Sequence, residues 1–122
     1  MKGNQIRAGQ IIYVKTKGKK NRAVPITEKL QAELPMSRKA HSLFKPCYSA
    51  FRKAMQRAGI ETPAGQLTHV LRHTFASHFM MNGGNILVLQ RILGHTDIKI
   101  TMRYAHFAPE HLSEAKYLNP LS

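Results

Sequence analysis

His69 and Arg72 lie three residues apart in the run Leu67-Thr-His-Val-Leu-Arg-His-Thr-Phe-Ala-Ser-His78, a spacing that puts both on one face of a helix. At about 100° per residue, with His69 at zero, Leu71, Phe75, Phe79, Ala76 and Met80 fill one arc from roughly 200° through 360° to 20°. Arg72 falls inside that arc. A guanidinium in an apolar setting is costly unless an anion meets it. The chain holds only six Asp and Glu, so a phosphate brought by a ligand is the better candidate, and Arg grips phosphate oxygens through a planar fork. The plainer alternative has Arg72 snorkelling to the surface or bonding a backbone carbonyl. His95 follows Gly94 directly, and Tyr104 comes nine residues later in Met102-Arg-Tyr-Ala-His106. A phenol is a poor nucleophile at neutral pH, so chemistry at its oxygen needs a nearby base and a cationic site that stabilises the phenolate and the attacked phosphate. Arg72, His69, His95 and a lysine could together form such a site. Each also has an ordinary reading: His95 as a helix C-cap, Tyr104 as a half-buried aromatic, His73 and His78 as residues at the edge of a helix face.

The charge balance agrees with an anionic partner. Nineteen Lys and Arg give a formal net charge of +13 on 122 residues, the electrostatic footprint of a protein that meets a polyanion, nucleic acid being the commonest. No apolar run approaches the ~20 residues that span a bilayer, and the N-terminus has no signal-peptide pattern. The one cysteine, Cys47, rules out an intramolecular disulfide framework. The chain reads as cytoplasmic, with no membrane partner.

The elements that must position these residues are mainly helical, giving an α+β class with a small N-terminal antiparallel hairpin or sheet. Gln10 to Thr16 and Arg22 to Ile26 are rich in β-branched and aromatic residues and are joined by Lys17-Gly-Lys-Lys-Asn21, which predicts a hairpin with a basic tip. Pro25 suits an edge strand. Lysines at such a tip either protect a sheet edge or enter a DNA groove. Thr27 caps a short helix through Leu34, and Pro46 opens a longer one, Cys47 to Ala58, with Tyr48, Phe51, Ala54 and Met55 at helical spacing. Ile60 to Gln66 reads as a loop. The Arg72 helix follows, capped by Thr68 and stopped by Gly83-Gly84. Next comes a helix from Asn85 whose Ile86, Leu87, Val88, Leu89, Ile92 and Leu93 leave little polar face and predict burial. Asp97 caps a short helix carrying Tyr104. Beyond Pro109, Leu112, Ala115 and Leu118 form a stripe expected to pack on something. No repeat and no linker suggests a second domain.

With these motifs in order, the chain resembles the catalytic domain of the tyrosine recombinases, the phage integrases. The family's His-x-x-Arg helix is matched by His69 to Ala76, its Leu-Gly-His element by Leu93-Gly94-His95, its nucleophile box by Thr101-Met-Arg-Tyr104, and its lysine-bearing hairpin by Thr16 to Ile26. The resemblance covers about residues 10 to 107, and the closing segment resembles integrases of temperate phages of enteric bacteria. It implies that Tyr104 attacks a DNA phosphorus to form a 3′-phosphotyrosine, that Arg72 clamps the non-bridging oxygens, that His69 is the acid/base near the nucleophile, that His95 donates a hydrogen bond to the phosphate and that Lys17 protonates the leaving oxygen. It further implies double-stranded DNA as partner, a homotetramer of the full-length enzyme on DNA, no small-molecule cofactor and no metal, and expression in a bacterial cell from a phage or prophage.

The family's first arginine lies in a Thr-Gly-x-Arg-x-Ser-Glu helix before the hairpin, which nothing before Gln10 matches; Arg7 lacks that context. Residues 1–122 therefore read as a partial catalytic domain with a tail at residues 109–122, without the family's N-terminal DNA-binding domains and inactive alone. Two other readings compete. Asn85 to Leu93 and Ile98 to His106 could form a non-catalytic helix-turn-helix with Lys99 and Arg103 on DNA, which leaves Arg72 unexplained. His69 and His73 could share a metal with His95 or His78, but no Glu follows His69 and no second cysteine is present.

Overall fold

A computed structural model of the chain describes residues 1–14, 21–35 and 41–121. It divides into two compact units, Met1–Pro63 and Ala64–Ser122, each taken by itself below. The boundary falls in the loop expected between Ile60 and Gln66.

The first unit is built on a three-stranded antiparallel sheet, β1 (Ile6–Arg7), β2 (Gln10–Tyr13) and β3 (Arg22–Pro25), in that spatial order. The expected hairpin is β2–β3, with Ile11 opposite Val24 and Tyr13 opposite Arg22. The Arg22 guanidinium lies 4.7 Å from the Tyr13 ring centroid, a cation–π contact across the pair. Pro25 ends the edge strand, where a missing N–H costs no ladder bond. The hairpin tip with Lys17 lies outside the described residues. Strand β1 was not expected. It joins β2 through Ala8-Gly9, whose φ values of 47° and 72° are both positive, as a two-residue hairpin turn requires; alanine in that conformation carries no sequence signal. Helix α1 (Glu28–Glu33) is capped by Thr27, whose Oγ1 accepts from the Leu30 N–H at 3.2 Å. Helix α2 (Tyr48–Arg57) buries Met55 and ends at Gly59, at φ 66°.

The second unit contains α3 (His69–Met81), α4 (Ile86–Leu93), α5 (Ile98–Met102) and the four-residue α6 (Ala115–Leu118). Its core is Ala76, Met80, Leu89, Leu93 and Tyr104, with Phe79 and Ile86 packed against it. Two helix ends close in the same manner. At α3 the Gly83 N–H reaches the Met80 carbonyl and the Gly84 N–H the Phe79 carbonyl; at α4 the Gly94 N–H reaches Arg91 and the His95 N–H reaches Gln90. Both are Schellman closures with a left-handed glycine, Gly83 at φ 80° and Gly94 at φ 70°.

Four expectations are corrected here. Leu71 and Phe75 are exposed, because the residues that cover α3, Leu89, Leu93 and Tyr104, pack on the side of Ala76 and Met80. Helix α4 is buried on one face only, with Leu87 and Val88 exposed. Thr68 sits at the N-cap of α3 without a side-chain bond. The segment after Pro109 is a 3₁₀ turn (Leu112–Glu114) and α6, in which Leu112 and Leu118 are 84% and 77% exposed, so the stripe packs on no described part of the chain.

Candidate active site

The chemistry-bearing residues of the second unit sit where three chain features meet: the middle of α3, the closed end of α4, and the turn that leaves α5. Arg72 is half-buried on α3. Its Nη2 donates to the Leu93 carbonyl at 2.5 Å, which is the backbone-carbonyl alternative rather than a carboxylate pair. A guanidinium has five N–H donors in a fixed fork, so this one bond orients it while a phosphate could still be met by others. The orphaned carbonyls at a helix C-terminus are natural acceptors for it.

His95 is placed by its backbone, because its N–H closes α4 on Gln90 at 3.1 Å, and the Gln90 side chain returns a bond to the His95 carbonyl at 3.2 Å. Its ring Nδ1 lies 2.8 Å from Thr101 Oγ1. A histidine whose Nδ1 is engaged presents Nε2 to a substrate. Thr101 is fully buried on α5. That helix starts at Asp97, whose Oδ1 accepts from the Lys99 N–H at 2.9 Å, and it is only five residues long.

Tyr104 does not ride on α5, as expected, but just beyond it. Its N–H donates to the Thr101 carbonyl at 3.0 Å, and it leads into the 3₁₀ turn Ala105–Phe107. The ring is 5% exposed within the core. Its hydroxyl lies 2.5 Å from His73 Nδ1, with the two rings 5.9 Å apart and tilted by 44°. The contacts therefore close a circuit: Arg72 to Leu93, Leu93 through Gly94 to His95, His95 to Thr101, Thr101 to Tyr104, and Tyr104 to His73 beside Arg72. Arg72, His95 and Tyr104 are brought together in this way. His69 is exposed one turn earlier on the same helix. Lys17 lies outside the described residues.

Two members of the circuit escaped the sequence reading. The sequence puts His73 at the edge of a helix face, yet it falls near 40° on the wheel, between Val70 and the Ala76/Met80 centre of the observed buried face. Thr101 precedes Tyr104 by three residues, which hints at a shared turn and no more. Among the described residues, no three His, Cys, Asp or Glu side chains are grouped to hold a metal. An open groove of about 510 Å³ is lined by Thr74, Phe75, His78, Phe79, Asn82, Gly83 and Gly84. It belongs to another face of α3 and contains none of the residues above.

The chain is similar to several known proteins. It is 66% identical over 121 residues to the integrase of Escherichia phage 186, covering 99% of this chain and 36% of that protein. It is 34% identical over 125 residues to the tyrosine recombinase XerD of Rhizobium meliloti, covering 87% of this chain and 40% of that protein. It superposes on the solved catalytic domain of bacteriophage HP1 integrase with a TM-score of 0.91 at 58% identity, covering 99% of this chain and 71% of that one. The chain thus spans a little over a third of the length of the full relatives. With the family match extending over residues 35–111 and a shared fold of small sheet and helices, the chain belongs to the phage integrase family.

Proposed function

We propose that this chain is the catalytic portion of a site-specific recombinase that breaks and rejoins duplex DNA through a 3′-phosphotyrosine. The observation that carries the reading is the hydrogen-bonded circuit that holds Arg72, His95 and Tyr104 in one unit. In the proposed reaction the Tyr104 oxygen bonds to the phosphorus as the bond from phosphorus to the 5′ oxygen breaks. Arg72 and His95 neutralise the non-bridging oxygens, where charge develops. His69, one helical turn before Arg72, manages the proton at the nucleophile. Lys17 delivers a proton to the leaving 5′ oxygen. Rejoining is the reverse attack by a different 5′ hydroxyl, which exchanges one phosphodiester for another by way of the phosphotyrosine and conserves bond energy. DNA as substrate is supported by the charge of +13 and by relatives called integrase and tyrosine recombinase.

Residues 1–122 are on this reading part of a catalytic domain, with residues 109–122 as its tail. The exposed Leu112, Tyr117, Leu118 and Leu121 favour docking of that tail on a neighbouring copy in a tetramer assembled on DNA. Among the described residues no helix is long and apolar enough to cross a membrane, and a DNA substrate in a phage-infected cell places the work in the cytoplasm.

The test is covalent trapping. A full-length integrase carrying this chain, given a nicked suicide duplex, is expected to become attached to DNA. Tyr104→Phe should abolish the adduct while DNA affinity stays nearly unchanged, since only the nucleophilic oxygen is removed. An adduct that survives Tyr104→Phe would overturn the assignment, with Tyr117 the next residue to substitute.

A further inference from the structure

We propose that His73 is the positioning residue of the nucleophile: its Nδ1 holds the Tyr104 oxygen in the orientation from which it attacks. The inference rests on the recombinase reading and deepens it. Tyr104 is packed among Ala76, Met80, Leu89 and Leu93, so its ring has little rotational freedom. The 44° tilt and 5.9 Å ring separation exclude stacking, and the contact is a hydrogen bond of 2.5 Å at the ring nitrogen. Which atom carries the proton depends on the imidazole tautomer; either way the phenol oxygen is fixed in place. His73 follows Arg72 directly on α3, so the residue that holds the nucleophile is joined by one peptide bond to the residue proposed to hold the phosphate. Arg72 in turn is anchored on Leu93, beside His95. A rigid helix therefore sets the distance between attacking oxygen and target. No bond is made or broken at His73; the proton traffic stays with the groups named above.

The test separates positioning from mere support of a buried tyrosine. Cleavage of the nicked suicide duplex is measured in single turnover, with DNA affinity measured alongside, for a full-length integrase carrying this chain. His73→Phe is expected to slow cleavage by about 100-fold, the effect of misplacing a reacting atom by about an ångström, with affinity unchanged within about twofold. His73→Asn places an amide close to where Nδ1 lies and should recover at least about tenfold of that loss, whereas His73→Gln places its amide near Nε2 and should not. The comparison of Asn with Gln decides the matter even if His73→Phe fails to fold. Cleavage by His73→Phe at the unsubstituted rate, or a Gln variant as fast as the Asn variant, would overturn the proposal. Absence of any adduct with the unsubstituted protein would overturn the recombinase reading as well, whereas a normal adduct with an insensitive His73 sinks this inference alone.

Discussion

Thr101 carries a hydroxyl with no exposure to solvent, and its bond to His95 Nδ1 satisfies both groups at once. Replacement by Val keeps the shape and removes the bond, leaving a ring nitrogen of a half-buried histidine without this partner. Losing one partner of a buried pair typically costs about 1–3 kcal/mol. Thr101→Val is therefore expected to lower the free energy of unfolding measured in urea by that amount and to slow DNA cleavage, because His95 no longer presents Nε2 in one fixed orientation. Thr101→Ser keeps the hydroxyl and should lose much less. A Val variant as stable and as fast as the parent would show that the bond contributes neither to fold nor to chemistry. At this scale the sequence was legible for residues whose motif is local. Arg72 announces itself by its place on the helix that also carries His69, and His95 by the glycine before it. Thr101 and His73 act across elements, their partners lying six and thirty-one residues away, a separation that no helical period encodes.

Gly94 serves two purposes at the scale of an element. Its φ of 70° closes α4, and that closure sets both the Leu93 carbonyl that Arg72 grips and the His95 backbone. Gly94→Ala forces a side chain into a left-handed conformation, at a cost of roughly 1–3 kcal/mol. Thermal or urea unfolding should report that loss, and the rate of DNA cleavage should fall further than stability alone accounts for, since Arg72 and His95 shift together. Asn85→Ala tests the other end of the helix. The Asn85 Oδ1 accepts from the N–H groups of Leu87 and Val88 at 2.8 and 3.3 Å, and its removal should cost about 1 kcal/mol without a matching effect on cleavage. Most caps and glycine stops were readable from sequence because they depend on one residue's own chemistry: Thr27, Asp97 and Gly83 fall where expected, whereas Thr68 stands at its helix start without a side-chain bond. The buried side of a helix was not so readable. The arc drawn through Leu71 and Phe75 is apolar, yet the core forms on Ala76 and Met80, because burial is decided by what the neighbouring helices bring. Leu87 and Val88 on α4 fail for the same reason.

The charge of the whole molecule is unevenly divided. Met1–Pro63 holds fourteen of the nineteen Lys and Arg and three of the six acids, whereas Ala64–Ser122, which contains the candidate active site, is close to balanced. On this account most of the charge that attracts a polyanion belongs to the first unit, and the groups proposed to act on the phosphate, Lys17 apart, belong to the second. Within the first unit α2 presents a cationic face. Arg52, Lys53 and Arg57 are all exposed, while Met55 is buried. Each phosphate neutralised by such a residue steepens the dependence of affinity on salt, with log K falling by about 0.9 per contact for each tenfold rise in salt concentration. Replacing Arg52, Lys53 and Arg57 together by Gln should flatten that dependence by at least about one unit in the log–log slope, and equally on unrelated duplexes, because phosphate contacts carry no sequence information. Titration of the chain onto two unrelated duplexes between low and moderate salt measures this directly. Replacing Lys116 in the tail serves as the control and should change the slope less. A slope unaltered by the triple substitution would remove α2 from the DNA-binding surface and leave the lysine-rich segment between β2 and β3 as the place to search. A flattened slope on one duplex only would mean that these side chains read bases rather than phosphates.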